Sequence, residues 1–213
     1  MSSIAEFDAA LTHCPLIAIL RGITPHEVVA VGEALCDAGF RLVEVPLNSP
    51  EPLDSIARLA KALAGRAVVG AGTVLRVADV AAVQAAGGVM IVSPNANVEV
   101  IAATRQRGLV SLPGIATPSE AIAALEAGAT ALKLFPAEGA SPAVLKALRA
   151  VLPVGVRVLP VGGITPGNMA PWIEAGAAGF GIGSALYSPG VGPDEIARRA
   201  RAFIASVPAG RRR

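Results

Sequence analysis

The sequence predicts an α/β fold, a single-domain (β/α)8 TIM barrel with an extra N-terminal helix. Eight short apolar runs alternate with Ala-rich amphipathic stretches along the 213 residues. The centres of successive runs lie roughly 20–27 residues apart, room for one strand, one helix and two short loops. The competing architecture, an open doubly wound sheet, lacks the G-x-G-x-x-G turn that would open its first helix. A chain of this length fits one domain of roughly 100–250 residues.

Residues 3–14 read as a helix ahead of the first strand, placed to cover the bottom of the barrel. The strands are expected at 16–20, 42–47, 68–74, 90–94, 110–113, 131–135, 156–161 and 179–183. Between them, Thr24-Pro25, Ser49-Pro50, Thr117-Pro118, Ser141-Pro142 and Thr165-Pro166 each put a capping hydroxyl before a proline, a helix-start signal. Gly39, Gly65, Gly87, Gly108, Gly128 and Gly176 stand where those helices should stop.

Composition narrows the function. Hydrophobic residues make up 53% of the chain and aromatics only 3%, so a core of small aliphatic side chains is available and stacking platforms for bases are not. The net charge is +2, and Arg211, Arg212 and Arg213 supply three of the positive charges in a basic tail at 208–213 that is expected to be disordered. No groove-reading motif accompanies them, so no nucleic-acid partner is expected. Cys14 and Cys36 form no C-x-x-C pair and only His13 and His26 could join them, which supplies a soft-metal site poorly. No apolar run reaches the ~18 residues of a membrane span, and residues 1–4 do not read as a secretory leader. A cytoplasmic protein with reduced thiols is expected.

The chemistry of such a barrel lies at the C-terminal ends of its strands. Of the three lysines, Lys61 and Lys146 fall on helical patterns with solvated faces, whereas Lys133 interrupts the apolar strand "TALKLFPA". Period 2 puts Ala131, Lys133 and Phe135 on one face. A buried lysine is disfavoured as a cation, so its pKa falls from ~10.4 and some neutral amine becomes available to attack a ketone. The alternative is a structural ion pair. Glu44, in "LVEVPL", is the one acid inside a strand core. Each group would be costly to bury alone, so the two are expected to meet inside the barrel as nucleophile and proton shuttle.

"VGGITP" at 161–166 and "GFGIGSAL" at 179–186 follow the last two strands. Glycines there let backbone N–H groups face an anion, and a helix starting at Pro166 would add its positive end. The alternative is tight turns without a ligand. Arg21, after the first strand, fits either a fork onto a substrate carboxylate or a salt bridge at the rim. Thr73, in "GAGTV", fits either the same carboxylate or a loop cap.

On "GAGTV", "SPN", "LPGIATPSEA", "ALKLFPA" and "VGGITP", the chain resembles the 2-keto-3-deoxy-6-phosphogluconate/6-phosphogalactonate aldolases, pyruvate-forming class I enzymes, over about residues 15–187. The resemblance implies a Schiff base on Lys133, proton transfer by Glu44, carboxylate contacts from Thr73, and phosphate contacts from Gly162, Gly163, Gly183 and Ser184. It further implies pocket walls from Pro94 and Phe135, a small phosphorylated keto acid as substrate, no metal and no cofactor beyond the lysine imine, and a homotrimer. Gluconate-type members carry a "TLRT"-like segment after the catalytic glutamate and a threonine before the glycine pair. Here Pro46-Leu47-Asn48-Ser49 and Val161 stand at those places and resemble the 6-phosphogalactonate type, with Arg21 taking over the carboxylate. The C4 epimer as main or equal substrate is one alternative, and a non-catalytic phosphosugar-binding barrel is another. A phosphosugar epimerase of the same fold would need paired acids or metal ligands where only Glu44 stands.

Overall fold

The computed structural model describes residues 3–208. The arginines of the expected basic tail lie outside the described residues. The N-terminal helix α1 (Ser3–His13) precedes β1 (Leu16–Ile19), α2 (Val28–Ala38), β2 (Leu42–Pro46), α3 (Pro52–Ala62), β3 (Val68–Gly72) and α4 (Val77–Ala85). Then come β4 (Met90–Val92), α5 (Val98–Gln106), β5 (Val110–Leu112), β6 (Gly114–Ile115), α6 (Pro118–Glu126) and β7 (Leu132–Leu134). A 3-10 turn (Ala137–Gly139) leads to α7 (Pro142–Val151), β8 (Val158–Pro160), α8 (Met169–Glu174), β9 (Phe180–Ile182) and α9 (Pro193–Ala205).

All strand pairs are parallel, in a six-stranded sheet ordered β5-β4-β3-β2-β1-β9 and a three-stranded sheet ordered β6-β7-β8. The result is an α/β fold with a curled parallel sheet in two segments. The single strand expected at 110–113 is two short ones, β5 and β6, because Pro113 brings no N–H to a ladder. Hydrogen bonds still cross the gap: Ala131 N–H donates to Ser111 O (3.3 Å) and Lys133 N–H to Pro113 O (2.9 Å). At the other seam Val161 bridges Gly181.

Each strand sorts its residues by period 2. Val43 and Val45 of β2, and Leu132 and Leu134 of β7, face the helices and join the larger core cluster. Leu42 and Ala131 face inward and join a second cluster with Ile17, Met90 and Leu159. Phe7 and Leu11 of α1 belong to that inner cluster, so α1 plugs the N-terminal end of the strands. The Arg157 guanidinium lies 5.4 Å from the Phe7 ring centroid and pairs with Asp8, fixing the plug from outside. Phe7 is fully buried. Phe7→Ala is therefore expected to cost about 3–5 kcal/mol in urea unfolding.

Two of the hydroxyl–proline helix starts are real. Thr117 and Glu120 form a reciprocal capping box, and Ser141 Oγ accepts from Val144 N–H at 3.3 Å. Three are turns instead. After Thr24 the helix waits until Val28, whose N–H reaches Thr24 O at 3.1 Å. After Ser49 it waits for the second proline, Pro52, with Glu51 in a left-handed conformation (φ 41°). After Thr165, the Asn168 side chain accepts from Thr165 N–H (2.9 Å) and donates to Gly163 O (2.7 Å), holding a turn until α8 starts at Met169. The expected stop glycines all have positive φ, from 69° at Gly108 to 116° at Gly39.

Candidate active site

Strand β2 carries Glu44 inward between outward-facing Val43 and Val45, and the carboxylate ends only 2% exposed. Its side chain lies across Gly72 of β3. A Cβ built on Gly72 would stand 2.5 Å from Glu44 Oε1, so any side chain there would evict the carboxylate. Strand β7 carries Lys133 inward in the same way, 6% exposed. Its Nζ stands 4.4 Å from the centroid of the Phe135 ring, two residues along the same face. Glu44 and Lys133 line one small chamber with Ile17, Ile19, Val92 and Leu159. The free space in it is about 10 Å3, roughly the room one water requires.

Burial sets the protonation of both groups. It pushes the Lys133 amine below the ordinary lysine range, against the pull of the Glu44 carboxylate, and the Arg21 charge adds to the depression. It pushes the Glu44 carboxyl above the usual carboxylate range, against the opposing charges of Lys133 and Arg21. The chamber therefore favours a neutral amine, able to add to a carbonyl, and a carboxyl that holds its proton more readily than an exposed one.

Ile19 and Val161 are also walls of a larger cavity of about 520 Å3. It is lined by Arg21, Phe135, Gly162, Gly163, Gly183 and Ser184, among others. Gly162 (φ 110°) and Gly163 (φ 63°) are left-handed, so the turn that opens the cavity depends on them. Among the described residues, the N–H groups of Gly163, Ile164, Ser184 and Ala185 donate to no protein acceptor, and all four residues line this cavity. Four uncommitted donors around one cavity make a backbone nest for an anion. The expected contribution of a helix starting at Pro166 falls away, because α8 starts three residues later and has only six residues.

Arg21 is exposed at the mouth, where its Nη1 donates to Asn48 Oδ1 at 2.8 Å. Gly22 N–H donates to Ser49 Oγ at 3.0 Å beside it. Among the described residues Arg21 forms no salt bridge; a neutral amide orients it and its charge stays available to a carboxylate. Thr73 and Pro94 line neither cavity and sit at the ends of β3 and β4. Thr73 has φ 57°, unusual for a β-branched residue and of the kind found where a site stores strain. Pro94 closes against Gly114, where a Cβ would meet Pro94 O at 2.3 Å.

The roles of three residues in or beside the cavity escape sequence reading. Asn48 holds Arg21, and Tyr187 lines the cavity wall. Glu138, in the turn after β7, lays its carboxylate over the glycine pair, where a Cβ on Gly162 would stand 2.0 Å from its Oε2. Glu138 directly follows the segment "ALKLFPA", the one sequence signal that stands beside it.

The family model "KDPG and KHG aldolase" matches residues 7–198. The chain is 50% identical over 193 residues to the 2-dehydro-3-deoxy-6-phosphogalactonate aldolase of Escherichia coli (strain K12), covering 91% of this chain and 94% of that one. A solved structure described as native KDPGal superposes with a TM-score of 0.89 at 49% identity, covering 90% of this chain and 93% of the other. A KDPG aldolase from Legionella pneumophila, solved with pyruvate captured at low pH as a covalent carbinolamine, superposes with a TM-score of 0.80 at 26% identity, covering 92% and 97% of the two chains. The chain belongs to the KDPG and KHG aldolase family.

Proposed function

We propose that the protein is a class I aldolase that cleaves 2-dehydro-3-deoxy-6-phosphogalactonate to pyruvate and D-glyceraldehyde 3-phosphate, with Lys133 as the Schiff-base nucleophile and Glu44 as the proton shuttle. One observation carries the reading. A strand-buried amine and a strand-buried carboxylate share a chamber whose walls Ile19 and Val161 also bound an anion-binding cavity. A carbinolamine on the Legionella relative supports the same chemistry here.

Neutral Lys133 adds to the C2 ketone of the substrate. Glu44, through the one water the chamber can hold, donates the proton that lets hydroxide leave as water and forms the iminium. The carboxylate then removes the C4 hydroxyl proton, the C3–C4 bond breaks, and its electrons move into the iminium to give an enamine. Glyceraldehyde 3-phosphate departs, the enamine takes a proton at C3, and water releases pyruvate. The iminium is the electron sink, so the cycle needs neither metal nor bound cofactor; among the described residues no cluster of three His, Cys, Asp or Glu side chains could hold a metal ion.

The substrate carboxylate is assigned to Arg21, held by Asn48, with Thr73 at the strained end of β3. The phosphate is assigned to the N–H groups around Gly162, Gly163, Gly183 and Ser184, with Phe135 as a wall; Pro94, which lines neither cavity, drops out of that role. Phosphate binding is remote from the breaking bond and serves to position it. In this reading the two sheet segments form one closed (β/α)8 barrel, with β5 and β6 as one strand broken at Pro113, and the chain assembles as a homotrimer. No helix of the described residues is long and apolar enough to cross a membrane. Cys14 and Cys36 are both buried, and a cytoplasmic location is part of the same proposal.

Val161 brings no hydroxyl to the cavity wall, and the 50% identity to a relative named for 2-dehydro-3-deoxy-6-phosphogalactonate favours the galactonate epimer. Pyruvate release from the two C4 epimers tests this directly. The galactonate compound is expected to show a kcat/KM at least about 10-fold higher. An equal or reversed ratio would assign the gluconate epimer, and no pyruvate from either would leave a phosphosugar-binding barrel.

A further inference from the structure

The turn after β9 supplies two of the four uncommitted donors, Ser184 and Ala185. It is closed at its base, where Leu186 N–H and Tyr187 N–H both donate to Gly183 O, at 2.8 and 3.0 Å. Tyr187 is therefore hydrogen-bonded into the same turn whose backbone lines the cavity. Tyr187 lines the cavity and is 2% exposed, and its hydroxyl donates a hydrogen bond to Glu27, just ahead of α2. Glu27 in turn follows the Arg21-Gly22 segment, which Asn48 and Ser49 hold from the other side.

We propose that Tyr187 is a positioning residue for the phosphate-binding turn, held by Glu27 so that the Ser184 and Ala185 N–H groups and the Arg21 guanidinium keep a fixed separation across the cavity. This inference rests on the phosphate assignment above. A fixed span suits a ligand with an anion at each end, a carboxylate and a phosphate separated by a short polyol chain. Loosening one end leaves the chemistry at Lys133 in place and weakens the recognition of the far anion. Burial and the neighbouring Glu27 both raise the phenol above its ordinary range, so it remains an O–H donor at any working pH. The partners lie 160 residues apart in sequence, so the bond joins the first βα connection to the last.

The test compares 2-dehydro-3-deoxy-6-phosphogalactonate with its unphosphorylated counterpart on the wild type, Tyr187→Phe, Glu27→Ala and Glu27→Gln. On Tyr187→Phe the KM for the phosphorylated substrate is expected to rise about 5- to 20-fold, with kcat changing far less and the KM for the unphosphorylated compound steady. Glu27→Ala should reproduce that pattern and the double variant should be no worse than either single one. Glu27→Gln, whose amide oxygen still accepts from the hydroxyl, should recover most of the loss. An unchanged KM in Tyr187→Phe, or an equal rise for both substrates, would overturn the inference while leaving the phosphate assignment standing. A wild type indifferent to the phosphate would overturn the assignment and the inference together.

Discussion

Lys133→Ala is expected to lower kcat by at least about 10^4-fold, because among the described residues no other amine lines the chamber and the covalent route closes with it. Lys61 and Lys146 sit on α3 and α7, away from the strand ends. The loss should be chemical and not structural. Since burial lowers the Lys133 pKa, the unfolded chain binds the proton more readily than the folded one. Lys133 therefore weakens the fold progressively as pH drops below ~10.4, and the penalty levels off once pH is below its depressed folded value. Lys133→Met, which keeps the aliphatic stem, should then be at least as stable as the wild type at neutral pH. Its relative stability should grow as pH falls through that window. Thermal unfolding across pH checks this, and a Lys133→Met protein that is strongly destabilised at neutral pH would mean that the amine is a structural cation.

Glu44→Gln is expected to lower kcat by about 10^2- to 10^4-fold while the protein stays folded, the range for removing a general acid–base. The same variant should move the pH profile. The Glu44 carboxylate pulls the Lys133 pKa upward, against burial. Glutamine removes that pull, so the amine is neutral at lower pH. The rising limb of kcat/KM, which reports formation of the free amine, should shift toward acid in the residual activity. The wild-type profile, measured beside it, should rise below the ordinary lysine range. Full activity in Glu44→Gln would remove the carboxylate from the mechanism, and an alkaline shift would contradict the coupling.

Glu44 and Lys133 were legible in the sequence because each breaks the rule of its own strand. A charged residue at an inward position of an apolar strand must find a partner, and period 2 specifies the face. The glycine turns at 162–163 and 183 were legible for a similar reason, since glycine at the end of an apolar run marks backbone turned toward something. Less was visible wherever the partner comes from elsewhere in the chain. No local pattern announces that Asn48 holds Arg21, that Glu138 overlies Gly162, or that Tyr187 reaches Glu27. The helix starts show a local ambiguity of another kind. A hydroxyl followed by proline suits a turn as well as a cap, and only where Thr117 has Glu120 three residues on does the local sequence decide for the helix. The break at Pro113 divides one expected strand, yet the Lys133 N–H still bonds across it, so the candidate site is undisturbed.

Reduction with borohydride in the presence of pyruvate, followed by peptide mapping, addresses the amine directly. The account predicts one stable pyruvyl adduct per chain, on the peptide that contains Lys133, with Lys61 and Lys146 unmodified and the adduct absent from Lys133→Ala. An adduct on either of the other two lysines, or none at all in an active preparation, would contradict it.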